Sequence, residues 1–104
     1  MVEIADAVIQ SLQRFLTAVR EVRRIEVAYL YGSQATGTAT EWSDIDVAVI
    51  SPDFAEDLFQ ERLVLMRLAA QVDDRIEPHP FRPADFSPTA PLVSEIRRTG
   101  IRVA

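Results

Sequence analysis

The sequence predicts a small α/β (α+β) domain in which helices flank a mixed β-sheet. Three observations predict this fold class. Apolar side chains repeat at helical spacing near the N-terminus, two short apolar strands lie on either side of a glycine-containing loop, and a second helical pattern leads into a further short strand. With 104 residues, the chain is predicted to form one domain over residues 1–104.

The first half of the chain is predicted to run from a helix into a strand and then into a loop. The helix covers residues 3–24, because apolar side chains recur there at steps of three and four. Residues 25–31 form a β-rich strand that ends at Gly32. Residues 32–43 form a loop with room for a short helix that starts at Ser33. The apolar positions of the first helix are Ile4, Val8, Leu12, Phe15, Leu16 and Val19.

The second half is predicted to alternate strand, helix, strand and helix. Residues 44–50 form a strand, and residues 54–71 form a helix. A third strand over residues 74–79 is broken by Pro78 and Pro80, and Pro78 is tolerated only at an edge or a strand end. The apolar positions of the second helix are Phe54, Leu58, Leu63, Leu65, Met66 and Leu68. The chain then closes with a loop over 80–91, a helix over 91–99 capped by Gly100, and an edge strand at Ile101–Val103.

The composition excludes several classes of function. There is no cysteine, which excludes disulfides and thiolate metal sites, and all eleven basic residues are arginine, which excludes Schiff-base and P-loop lysines. The net charge of −5 argues against binding to extended nucleic acid. The apolar runs are too short to span a bilayer, and residues 1–6 include two acidic residues, Glu3 and Asp6, where a signal peptide has positive charge. A cytoplasmic protein is therefore expected.

Two carboxylates open the strand over residues 44–50. Asp44 and Asp46 are two residues apart, so on a strand they point to the same face, about 7 Å apart. Like charges at this distance repel, and Mg²⁺ is the natural ion to neutralise them because it prefers hard oxygen ligands. Alone, an Asp-x-Asp pair is more often a solvated strand start or a turn cap. The continuous apolar run Val47–Ile50 favours the functional interpretation, because it predicts a strand buried on both faces.

Gly32 and Ser33 follow the first strand directly. Gly32 lets the backbone turn sharply or approach a ligand closely, and the exposed amides and the Ser33 hydroxyl suit a phosphate group. Taken alone, this pair is an ordinary turn between a strand and a loop.

The spacing of these two motifs carries the functional prediction. Gly32-Ser33, ten intervening residues and then Asp44-x-Asp46 resemble the minimal nucleotidyltransferases of the DNA polymerase β-like superfamily. Further matches within the segment are Ala35, Gly37, Ala39 and Ser43. The resemblance implies the polymerase β-like nucleotidyltransferase fold and a nucleoside triphosphate held with two Mg²⁺ ions. It also implies that Asp44 and Asp46 are metal ligands and that Gly32 and Ser33 hold the triphosphate.

The resemblance further implies a third carboxylate on the next strand, which helps to bind one metal and activates the attacking hydroxyl as general base. Three residues are candidates: Asp73, Asp74 and Glu77. We favour Glu77, because it lies within the short strand while Ile76 faces the other way. Asp73 and Asp74 are placed at the turn between helix and strand. Many relatives have aspartate at this position.

Other residues near the motifs have two interpretations each. His79, the only histidine, is either a substrate contact or a packing residue, and Arg75 either contacts phosphate or is solvated. Trp42 either packs over the loop or stacks on a base, and packing is the expectation. Gln34 and Thr36 occupy positions where relatives often have arginine, so phosphate contacts there remain open.

These observations lead to a predicted enzyme that transfers AMP from ATP to a hydroxyl. The domain is too small to hold its own acceptor, so a partner protein is expected, in a hetero-oligomer. Minimal members resemble antitoxins encoded beside HEPN-domain ribonuclease toxins, which implies adenylylation of a toxin tyrosine. Two alternatives stay open: an antitoxin that neutralises its partner by binding alone, and an aminoglycoside-type enzyme that works with a separate acceptor-binding chain. The preference for ATP rests on the resemblance.

Overall fold

A computed structural model describes residues 3–104, so the first two residues of the predicted single domain lie outside the described part of the chain. Four strands form one sheet in the order β3-β2-β1-β4. Strand β1 is antiparallel to β2 and β4, whereas β2 and β3 are parallel, so the predicted mixed sheet is confirmed. The elements are α1 (Asp6–Arg20), β1 (Val27–Tyr31), α2 (Ser33–Thr36), β2 (Ile45–Ile50), α3 (Leu58–Ala70), β3 (Ile76–Phe81), a 3₁₀ turn (Pro83–Asp85), α4 (Pro91–Thr99) and β4 (Ile101–Arg102).

The two faces of the sheet bury different sets of side chains, because successive residues of a strand point to opposite faces. Ile45, Val47 and Val49 of β2 belong to the larger core, together with the buried side chains of α1 and α3. Ala48 and Ile50 face the other way, into a smaller core. The partners of these two residues are Tyr31, Phe86, Val93 and Ile96. Helix α4 packs on this second face through Val93 and Ile96. Asp46 alternates with Ile45 and Val47 in β2 and therefore lies on the same face as Ala48 and Ile50.

Helix α3 differs from its prediction in extent and in its apolar face. It begins at Leu58 instead of residue 54, because the Asp57 side chain caps it by accepting a hydrogen bond from the backbone N–H of Gln60 at 3.3 Å. Leu63 and Met66, which the periodicity assigned to the apolar face, are exposed. The side chains that the helix buries are Glu61, Leu65 and Ala69.

Strand β3 continues through both prolines, so the prediction that it ends at residue 79 was wrong. The N–H of Ile45 donates to the carbonyl of Arg75 at 2.7 Å. The backbone N–H and C=O groups of the odd-numbered residues of β3 therefore point towards β2. The ring nitrogens of Pro78 and Pro80 therefore face the open edge, where no N–H is needed. The predicted placement of Pro78 at an edge strand is confirmed. Because these nitrogens carry no hydrogen, another strand cannot form a regular ladder of hydrogen bonds along this edge.

Gly100 ends α4 through a close backbone approach. Its N–H donates to the carbonyl of Ile96 at 2.7 Å, and a Cβ at this position would overlap that same carbonyl oxygen. The predicted cap is confirmed. The predicted final edge strand is also present, as β4, and Val103 extends it with a hydrogen bond from its N–H to the carbonyl of Ala28 at 2.9 Å.

A buried ion pair connects α3 to the segment between α1 and β1. The Arg23 guanidinium donates to both carboxylate oxygens of Glu61 at 2.9 Å, and Glu61 is only 5% exposed. We expect Arg23→Met to lower the free energy of unfolding by about 2–3 kcal/mol, because it leaves a carboxylate buried without its counter-ion. Urea denaturation at neutral pH measures this effect. The control Arg24→Met removes an exposed, 3.9 Å contact to Asp53 and should cost less than about 1 kcal/mol. Equal stability of both variants would contradict the prediction.

Candidate functional site

Three strands bring the predicted site residues to one face of the sheet. Asp46 in β2 pairs with Tyr31 in β1 on one side and with Glu77 in β3 on the other. Paired residues on neighbouring strands are about 4.8 Å apart and point to the same face. Asp44 precedes Asp46 by two residues and is exposed at the entrance to β2. The structure thus brings Asp44, Asp46 and Glu77 into one row on the sheet face opposite α1 and α3.

The row of carboxylates is electrostatically unfavourable as an all-anionic set. Burial raises the pKa of Asp46 above its usual value, and the negative charges of Asp44 and Glu77 raise it further. Within residues 3–104, no three acidic or histidine side chains are gathered tightly enough to enclose an ion as they stand. Glu77 instead faces Arg62, with Nη2 of the arginine 3.7 Å from Oε2. The donor set of hard carboxylate oxygens nevertheless fits Mg²⁺, which needs only one or two protein carboxylates besides water and phosphate oxygens.

Gly32 is required by its contact with Asp46. Its backbone has φ of 72°, which L side chains rarely adopt, and a Cβ there would overlap Oδ2 of Asp46. The short helix anticipated at Ser33 is present as α2. Its first N–H groups have no partner within the helix, and Gly32, which precedes them, lies against Asp46.

Replacing Gly32 by alanine tests this contact. We expect Gly32→Ala to lower the free energy of unfolding by about 1–3 kcal/mol through backbone strain. If the site binds a nucleotide with Mg²⁺, as the motif resemblance implies, the variant also weakens binding of AMP-PNP, because Asp46 must move. Gly37→Ala is the matched control, since Gly37 also has positive φ, 81°, but lies at the other end of α2. Isothermal titration calorimetry separates the two effects. Full AMP-PNP affinity in Gly32→Ala would contradict the proposed role of the contact.

Among the three candidates for the third carboxylate, the structure places only Glu77 beside Asp46. Asp73 is already occupied: Ser11 Oγ donates to it at 2.9 Å, and Arg75 donates to it through its backbone and its guanidinium. Asp74 is exposed in the turn before β3. The same bonds commit Arg75 to Asp73, so its predicted availability for phosphate is not supported by the geometry.

The network around Asp73 predicts a pH-dependent stability. Hydrogen bonds from Arg75, above all, lower the pKa of Asp73 to about 2. Because this value lies below the unfolded value of about 3.9, the carboxylate stabilises the folded state above about pH 4 and loses that effect as the pH falls towards 2. We expect Asp73→Asn to lower the free energy of unfolding by about 2 kcal/mol at neutral pH, with the difference vanishing near pH 2. Urea denaturation across this range measures it. A difference that persisted unchanged in acid would contradict the assignment.

Two residues at the site were missed by the sequence analysis. Tyr31 is buried in the row with Asp46, and its ring meets that of His79 edge-on at 5.9 Å. Burial raises the pKa of Tyr31 above its usual value, and the charge of Asp46 adds to this effect. Strand alternation places Tyr31 on the same face of β1 as Tyr29, but only the register with β2 places that face beside Asp46. Arg62 had no such signal, because it reaches Glu77 from a different element.

His79 is a packing residue beside the carboxylate row. Its ring contacts Tyr31. Burial lowers the pKa of His79, and the positive charge of Arg62 nearby lowers it further. It lies two residues after Glu77 and faces the same side of the sheet.

Two polar side chains of α2 form hydrogen bonds within the segment between β1 and β2. Gln34 is buried, with Nε2 donating to the carbonyl of Asp44 at 3.5 Å, and the Thr36 hydroxyl donates to the carbonyl of Gly32 at 3.3 Å. These two positions therefore brace the segments that carry the glycine and the first aspartate. Trp42 is 85% exposed, so the expectation that it packs over the loop was wrong.

The sheet topology and the row of carboxylates beside a glycine turn define a nucleotidyltransferase domain. A family model described as the nucleotidyltransferase domain matches residues 12–99, and the chain belongs to this family. No curated protein matches the sequence closely enough to count as a relative. None of the helices in the described part of the chain combines the length and apolar character needed to cross a bilayer.

Solved structures of toxin–antitoxin complexes share the fold. One is a toxin–antitoxin complex with AMP-PNP, at 23% identity and a TM-score of 0.64, covering 88% of this chain and 71% of that chain. Another is a mutant MntA–HpeT toxin–antitoxin complex, at 21% identity and a TM-score of 0.62, with the same coverage of both chains. These likenesses confirm the predicted fold class.

Proposed function

We propose that this protein transfers AMP from ATP to a hydroxyl group of a partner protein. The observation that carries the proposal is the pairing of Asp46 with Glu77 in one row, with Asp44 two residues away and Gly32 against Asp46. The family supports nucleotidyl transfer in general. The choice of AMP and of a protein acceptor is our own step beyond it.

In the proposed reaction, Asp44, Asp46 and Glu77 would hold two Mg²⁺ ions. The chemistry these ions supply when bound is neutralisation of charge at the entering and leaving oxygens. Gly32 and Ser33 bind the triphosphate through backbone N–H groups and the hydroxyl. Glu77 accepts the proton of the acceptor hydroxyl as its oxygen attacks the α-phosphorus. The bond from that phosphorus to the bridging oxygen breaks, and pyrophosphate leaves.

The acceptor in this proposal is a tyrosine of a HEPN-type toxin, with the present chain as its antitoxin in a hetero-oligomer. Support comes from the motif resemblance and from the fold likeness to chains of toxin–antitoxin complexes, one of them with AMP-PNP. Because ATP is the donor, we place the reaction in the cytoplasm.

The test uses two preparations of ATP, one labelled on the α-phosphate and one on the γ-phosphate, in separate reactions. The protein is incubated with Mg²⁺ and the product of the adjacent reading frame, with and without EDTA. We expect α-label on the partner, no γ-label, and no transfer when the metal is chelated. A tight complex that silences the partner without any label would favour a binding-only antitoxin. Label on an aminoglycoside instead of a protein would favour the small-molecule enzyme.

A further inference from the structure

We propose that the exposed side of α3 is the surface on which the acceptor protein docks, an inference that rests on the proposed function. Phe59, Leu63 and Met66 form this surface, which we call the α3 stripe; they are 68%, 39% and 43% exposed. Their spacing of four and three residues places them on one face of the helix. A different face of α3 packs on the core through Leu65 and Ala69, so the α3 stripe is not needed to hold the helix against the sheet.

Among the described residues, the α3 stripe is the one place where three large exposed apolar side chains are neighbours on the same element. The other large exposed apolar side chains are single residues on separate elements. Those residues are Ile9, Val22, Trp42 and Leu92. Single exposed apolar residues are normal on a soluble protein, whereas a contiguous group marks an interaction site.

Arg62 connects the α3 stripe to the carboxylate row. It follows Phe59 by three residues and precedes Met66 by four, so both are its neighbours on the helix surface. From there it reaches past β3 to Glu77, at 3.7 Å, and its buried Nε has no hydrogen-bond partner among the described residues. The α3 stripe therefore borders the β3 side of the site, where the proposed general base lies.

The sheet topology separates this side from the donor side. Gly32 follows β1, and Glu77 lies on β3, with β2 between them. If the triphosphate is held at Gly32, the acceptor hydroxyl approaches Glu77 from the β3 edge. Helix α3 packs on the other face of the sheet, and Arg62 reaches from it to Glu77 around the β3 edge. A protein that delivers this hydroxyl around the β3 edge therefore meets the exposed side of α3.

The same edge specifies how the partner binds. Pro78 and Pro80 direct their ring nitrogens outward along β3, so a strand of the partner cannot pair there. An apolar helix face, packed on the α3 stripe through side chains, fits this surface. Arg62 lies on one side of the stripe and Arg67 on the other, in a chain of net charge −5. This placement complements acidic residues that flank the partner's apolar face.

The first test compares transfer with nucleotide binding. We expect the double variant Phe59→Ser/Met66→Ser to lower kcat/KM for the protein acceptor at least tenfold, mainly through KM, while its AMP-PNP affinity stays within twofold of wild type. The matched control is Ile9→Ser/Leu92→Ser, which alters similarly exposed residues on α1 and α4 and should leave both quantities unchanged. Unchanged transfer by the α3 double variant, or an equal loss in the control, would overturn the proposal.

The second test identifies what covers the stripe. A photo-crosslinking amino acid replaces Met66 in the full chain, which is then incubated with host-cell extract and α-labelled ATP. We expect one adduct whose partner also carries the label, and no adduct from the same probe at Leu92. An adduct with a second copy of this chain, or a labelled protein that never cross-links from position 66, would refute the docking surface. Label on no protein at all would refute the proposed AMP transfer. An unlabelled adduct beside a separate labelled protein would refute the docking surface, because the protein that covers the stripe is then not the acceptor.

Discussion

Asp46→Asn is expected to lower the rate of AMP transfer by about 10³-fold or more and to leave the fold intact. Metal ligation contributes several kcal/mol to the transition state, and each 1.36 kcal/mol corresponds to a factor of ten. Asp46 is the central member of the row, between Tyr31 and Glu77, and in the proposed mechanism Asp44 and Glu77 have metal-binding roles of their own. Removing its charge also relieves the repulsion from Asp44 and Glu77, so the variant should be at least as stable as wild type.

The measurement combines label transfer with thermal unfolding of the same preparations. Asp57→Asn is the matched control, because asparagine also caps a helix and Asp57 lies at the start of α3. The control should retain full activity and stability. An Asp46→Asn variant that is folded and still transfers AMP at the wild-type rate would refute the proposed mechanism.

Glu77→Gln is expected to lower the transfer rate by about 10²–10⁴-fold, the usual contribution of a general base. Glutamine keeps the size of the side chain and loses both the proton acceptor and the anionic metal ligand. It also removes the ion pair with Arg62, which is long and partly solvated, so stability should change by less than about 1 kcal/mol.

The control for Glu77 is Asp74→Asn, which alters the exposed candidate three residues earlier in the chain. Single-turnover transfer and Mn²⁺ binding are measured for both variants. We expect only Glu77→Gln to lose activity and metal affinity. The reverse result would assign the third carboxylate to Asp74 and leave the two-metal mechanism in place.

The fold was largely predictable, because its signals are local. The helical spacing through Val8, Leu12 and Phe15 predicted α1, and the apolar run after Asp46 predicted β2. One error, the start of α3, missed a local signal, because Asp57 caps the helix at Leu58. The error at β3 falls where tertiary contacts override local rules. Strand β3 tolerates Pro78 and Pro80 because of the direction in which it pairs with β2, and a single sequence does not reveal that direction.

The candidate site also has one part that local signals predict and another that depends on tertiary contacts. The sequence by itself placed Asp44 and Asp46 at the start of an apolar strand, since this pattern needs no partner, and placed Gly32 before them at a turn. Only the tertiary structure decided that Glu77 joins them, that Ser11 and Arg75 occupy Asp73, and that Arg62 faces the row from α3. The physical reason is that side-chain alternation is set by local backbone geometry, whereas strand register and contacts between distant elements are set by packing across the whole domain.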